Sequence, residues 1–258
     1  MNTTAILGAH PQNDLFGSYV KSTESSTHSQ VPHRILIQEQ LLEPFSIGQV
    51  RTALRKHHIS PEEFSRRQRK LLEDIGYKMP PICPKSDTTR KGNFAEVFLA
   101  EYTVASSGYN LPVYRLRYNP NIEQSMKGDD VLVFDFNSDP IRILVGEAKF
   151  RSVSSKKSVD DIIKALMRSH NVGVPISLQF VATRLFAENN TELGDKVEEC
   201  ACLIANGQLF PYYIGLLVSD NKVNSHVNTH ASHLKNLVFL SLGLNNPNNF
   251  VNACFENL

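Results

Sequence analysis

No run in this chain approaches the roughly 18 consecutive apolar residues that a membrane-spanning helix needs. Its polar opening also lacks the basic-then-apolar pattern of a secretory signal. Charge of either sign is close to balanced, with 27 Lys and Arg against 26 Asp and Glu, so nothing global argues for nucleic acid. Any such argument has to come from local clusters. Cysteine is scarce, and Cys83, Cys200, Cys202 and Cys254 make no C-x-x-C pair and no zinc-type spacing. There is no P-loop, no dinucleotide fingerprint and no internal repeat. These absences argue against membrane, secreted and nucleotide-binding classes, and the expected setting is a reducing cytoplasm.

What is present centres on residues 126–151. Two apolar strands, 131–136 and 141–150, flank a turn at Asn137-Ser138-Asp139-Pro140. An antiparallel pairing across that turn sets Asp130 opposite Glu147, and opposed side chains share a face. Glu147 and Lys149 are two apart on one strand, so Lys149 joins them. An Asp, a Glu and a Lys then project together from strands that are otherwise Val, Leu, Ile and Phe. Paired carboxylates and a lysine suit a divalent cation and a water nucleophile. A one-residue slip in the turn would exchange Asp130 for Asp129, although the simplest register favours Asp130.

Gly128-Asp129-Asp130 followed by Glu147-Ala148-Lys149 resembles the PD-(D/E)xK nuclease superfamily. The resemblance maps the family's first acidic residue onto Asp130 and its E-x-K onto Glu147 and Lys149. It also implies a metal-holding Glu on the helix before the hairpin, and Glu96 stands at that position. An ion pair from Glu96 to Arg90 or Lys91 is the structural alternative, and both readings stay open. Three blocks taken together, Lys91 to Glu96, Lys127 to Leu132 and Val145 to Phe150, are similar to the motif series of the HamA family. Those proteins are nuclease subunits of Hachiman antiphage defence systems. The likeness covers about residues 85–240. It implies a Mg²⁺-dependent deoxyribonuclease, with Mn²⁺ as the alternative ion, that works on DNA beside a helicase subunit, HamB.

The rest of the chain reads as α/β, a mixed central sheet flanked by helices with a helical N-terminal extension. Residues 1–33 are polar and are expected to form a loosely ordered or surface-draped arm. A short strand at 33–38 precedes amphipathic helices at 46–56 and 61–76, the latter with Pro at its first position and basic around Arg66, Arg67, Arg69 and Lys70. The Pro-rich stretch 79–84 marks a boundary between an N-terminal part, 1–84, suited to docking a partner, and a nuclease-like domain, 85–258. An apolar helix at 92–103 follows, then a strand at 113–118 with Arg115 and Arg117 outward. Beyond the hairpin, a helix opens at Ser158 with Asp161 in a capping-box-like arrangement. Residues 176–183, 210–219 and 236–244 read as strands and 191–205 as a helix.

Catalysis is therefore expected from Asp130, Glu147, Lys149 and Glu96. Asp130, Glu147 and Glu96 are the expected metal ligands, and the flanking Arg151, Lys156 and Lys157 are expected to contact phosphate. His226, His230 and His233 have ligand-like spacing but no nearby Cys or Glu, which argues against zinc. Two other readings keep the same core: a catalytically silent nucleic-acid-binding or docking subunit, and a restriction or repair endonuclease.

Overall fold

The computed structural model describes residues 2–74, 76–232, 234–256 and 258. A short helix α1 (Thr3–Leu7) precedes an antiparallel strand pair, β1 (Val20–Ser26) and β2 (Pro32–Gln38). Helices α2 (Glu43–His58), α3 (Pro61–Glu73) and the long α4 (Asp87–Ser107) follow. The central hairpin is β3 (Val131–Asp135) with β4 (Arg142–Phe150). Helices α5 (Lys156–Val172), α6 (Ile176–Ala187) and α7 (Thr191–Ala205) lead to β5 (Tyr212–Asp220). Helix α8 (Val223–His230) then leads to β6 (Leu237–Leu244), and α9 (Pro247–Phe255) closes the chain.

The strands form one six-stranded mixed sheet in the order β1-β2-β6-β5-β4-β3. The inner pairs β2–β6, β6–β5 and β5–β4 are parallel, and both outer pairs are antiparallel. Strands buried on both faces need apolar side chains throughout, and β6 is buried at every position. One face carries α1, α2, α4 and α9 over a cluster that includes Leu7, Phe94, Phe98, Leu144 and Leu240. The other carries α5, α6, α7 and α8 over Val145, Ile162, Leu178, Val197 and Leu217.

Helix α4 is the keystone of the first face. Ser86 caps its start, accepting from the Thr89 N–H, and Gly108 at φ 72° ends it in the left-handed conformation. From Phe94 to Ala100 every residue is buried, so the helix has no solvent stripe to show. Each large side chain fully buried there contributes about 1.5–3 kcal/mol relative to exposure. Four free cysteines are scattered over the chain, and among the described residues no helix is long and apolar enough to cross a membrane.

The hairpin lies where the sequence puts it, with Val131 paired to Gly146 as expected, and α4 covers the expected 92–103 but runs on to Asp87 and Ser107. Four readings change. The polar arm is no arm: β1 and β2 are strands of the common sheet, and Leu7, Phe16, Tyr19 and Val20 are core residues. Its polarity belongs to an edge strand, where exposed charge guards the open side of the sheet. Residues 176–183 form the helix α6, whose buried Leu178, Val181, Ala182 and Leu185 follow helical spacing. Residues 113–118 contain a 3₁₀ turn at Arg115–Tyr118 instead of a strand. Helix α5 starts one turn early, capped by Ser155, because Ser158 is buried inside it.

Candidate active site

The site is built where β3 meets β4. The Asp130 N–H donates to the Gly146 carbonyl at 3.1 Å, so the ladder extends one residue beyond β3. The Asp130 carboxylate turns back and accepts from the Ala148 N–H at 2.9 Å. That bond pins Asp130 to β4 midway between Glu147 and Lys149. Leu132 and Phe134 share a core face with Ile143 and Val145, so Asp130, Glu147 and Lys149 are carried on that same side of the two strands. Lys149 Nζ is hydrogen-bonded to Glu147 Oε1.

Glu96 comes from the opposite layer. At Gly146 an added Cβ would lie 2.9 Å from Leu99 Cδ2 and 3.0 Å from Val131 Cβ. Bare backbone at that position lets α4 lie directly on β4, which brings Glu96 to the strand ends. Glu96 is 7% exposed and its partner is Arg115, with Nε 3.2 Å from Oε1. Neither Arg90 nor Lys91 takes that role: Arg90 bonds the Pro84 carbonyl and Lys91 pairs with Asp87. Asp129 lies beside Asp130, its N–H donating to Ser177 Oγ at 2.9 Å while its buried Oδ2 has no hydrogen-bond partner.

All of these carboxylates open on one cleft of about 960 Å³. Lys91, Lys149, Arg151 and Arg168 stand around it, and Asn93 lines it with its amide held by the ring of His58 at 2.9 Å. Lys156 and Lys157 are exposed on the first turn of α5 and are not part of this lining. Sequence reasoning placed Arg115 outward, named Lys91 only as a possible ion-pair partner of Glu96, and gave Asn93 and Arg168 no individual role. Lys91 and Asn93 lie in the 91–96 block, and Arg168 lies one helical turn beyond Lys164 on the polar side of α5.

Electrostatics mark the cluster. Burial raises the Glu96 carboxyl to about 8, Arg115 pulling it down and Asp130 and Glu147 pushing it up. Burial also raises Glu147 to about 7, with the Asp130 charge adding to the rise and Lys149 opposing it. Asp130 is raised by the same desolvation, against the pull of Arg115 and the Ala148 N–H. Crowded, desolvated carboxylates of this kind are relieved by a cation. Their hard oxygen donors suit Mg²⁺ or Mn²⁺; nearby, Asp129 Oδ2 is buried without a hydrogen bond and Glu96 Oε1 has only its ion-pair contact with Arg115. Among the described residues no three His, Cys, Asp or Glu side chains are already gathered as a cage. Glu147 is turned to Lys149 and Glu96 to Arg115, so an ion would have to draw them in. His226 and His230 stack on α8 with ring centroids 6.0 Å apart, and His233 lies outside the described residues.

The sequence model of the HamA family matches residues 13–258. The Hachiman protein HamA of Bacillus cereus is 34% identical over 258 residues, covering 97% of this chain and 93% of that protein. Both matches run well beyond 85–240 and take in the N-terminal strands.

Proposed function

This chain belongs to the HamA family, and from that premise we propose that it is a metal-dependent DNA nuclease of an antiphage defence system. In this reading it carries a PD-(D/E)xK-type core and acts with a helicase subunit, HamB, by hydrolysing phosphodiesters. The observation that carries the proposal is the meeting of Asp130, Glu147, Glu96 and Lys149 on one basic-rimmed cleft.

Asp130, Glu147 and Glu96 would hold Mg²⁺, or Mn²⁺ in its place. When bound, the ion supplies Lewis acidity and makes water a stronger acid. Lys149, on the same strand face as Glu147, orients the attacking water and offsets the negative charge that grows on the phosphate. No side chain here is set up as a covalent nucleophile, so water attacks directly. Arg151, Lys91 and Arg168 hold the flanking phosphates in the cleft, while Lys156 and Lys157 extend the contact beyond it.

The test is plasmid cleavage by the purified protein with its helicase, with and without Mg²⁺. Glu147→Ala and Lys149→Ala should each lower cleavage by about 10²-fold or more, with circular dichroism unchanged and phage protection lost. Protection that survives in both variants would overturn the nuclease reading in favour of a silent docking subunit.

A further inference from the structure

Arg115 occupies a place that the reading above leaves unused. Its guanidinium is largely buried, its side chain 12% exposed, and it faces one carboxylate and two carbonyls on two separate segments. Nε meets Glu96 Oε1 at 3.2 Å, Nη2 donates to the Met126 carbonyl at 3.0 Å, and Nη1 donates to the Asp129 carbonyl. One planar group thus joins α4 to the loop that carries Asp129 and Asp130. A fork of donors in fixed geometry can do this, and a single ammonium cannot reach all three acceptors.

Its own base is fixed. Two residues on in the same 3₁₀ turn, Arg117 donates from Nε and Nη2 to the Lys56 carbonyl near the end of α2, at 2.9 and 2.8 Å. The Arg117 guanidinium also sits 4.2 Å from the ring centre of Tyr114. The turn is therefore clamped to α2 on one side while Arg115 reaches the carboxylates on the other.

The side of approach decides what Arg115 does. A small rear cavity of about 100 Å³ is lined by Arg115 together with Glu96, Asp129 and Asp130. The same three acids line the main cleft, but Arg115 does not. The carboxylates are a shared wall with the guanidinium behind them and the open cleft in front. A cation stand-in that blocked the site would have to stand in the cleft.

Resting on the metal-dependent reading, we propose that Arg115 is the positioning residue of this cluster, tying Glu96 and the Asp129–Asp130 loop together behind the cleft into which an ion would draw the carboxylates. Groups that orient metal ligands from behind typically change metal affinity by about 10–100-fold when removed.

The experiment counts free Mn²⁺ by electron paramagnetic resonance in titrations of the full chain without DNA. Wild type, Arg115→Ala, Arg115→Lys and Glu147→Ala are compared, each with a thermal melt. Arg115→Ala should bind Mn²⁺ about 10–100-fold more weakly, and Arg115→Lys should fall between it and wild type. A purely structural arginine would lower the melting temperature and leave the affinity of the folded protein unchanged, and that result overturns the inference. Should Arg115→Ala fail to fold, Arg115→Lys decides alone: weaker binding supports the proposal and wild-type affinity overturns it. Wild type that binds no Mn²⁺, or binding that survives Glu147→Ala, removes the metal reading itself and the inference with it.

Discussion

Glu147 shows at the residue scale how a candidate metal site trades against stability. Burial and the Asp130 charge push its carboxyl up to about 7 from the ordinary 4.5, against the pull of Lys149. A group raised on folding contributes stability that is present below its unfolded pKa and lost as pH rises through the folded one. In ion-free protein the loss should therefore be complete above about pH 8. Glu147→Gln removes the titration and should raise the unfolding free energy at pH 8 by on the order of 2 kcal/mol, with the difference shrinking towards pH 5. Urea unfolding at the two pH values measures it, and a gap independent of pH would contradict the assignment. The sequence made Asp130, Glu147 and Lys149 legible because strand periodicity alone puts them on one side. It hid Arg115, since alternating Tyr, Arg and Leu has the same look in a strand with outward arginines and in a tight turn with one arginine inward.

At the scale of elements, the site depends on how closely α4 approaches β4. Gly146 sets that distance, with Leu99 and Val131 already against the space a Cβ would fill. Gly146→Val should destabilise by about 1–3 kcal/mol through overpacking and displace Glu96 from the strand ends, so Mn²⁺ affinity should fall as well. Unfolding and metal titration together check both halves, and a variant as stable as wild type would show that the layer can shift freely. The hairpin and α7 could be read from sequence because a short turn and regular apolar spacing hold them locally, while α4 showed its apolar middle and not its capped ends. Residues 176–183 misled because a short apolar run suits a buried strand and a buried helix alike. The spacing of Leu178, Val181, Ala182 and Leu185 becomes decisive only when the run is followed past Thr183.

The whole molecule is one sheet that begins with its N-terminal strands. Deleting residues 1–33 would remove β1, strip Leu7, Phe16, Tyr19 and Val20 from the core and bare the edge of β2. The truncated chain should lose its cooperative melt and aggregate, as an exposed apolar edge promotes; a melt like that of the full chain would show those strands to be dispensable. Lost association with a helicase in that truncation would report the damaged sheet before any docking surface. Helix α3, with no buried residue, is the N-terminal element whose alteration spares the core. The sequence alone favoured the β3–β4 register and the three charged residues on its shared face, because partners across one short turn are fixed by turn length and periodicity, while Glu96 entered through the family resemblance. Only the tertiary structure decided that β2 pairs with β6, joining Ile35 to Ser241 across most of the chain, and that Arg115 turns inward to the acids. Those pairings depend on which surfaces remain to be covered once the local elements have formed, and no single stretch of sequence carries that information.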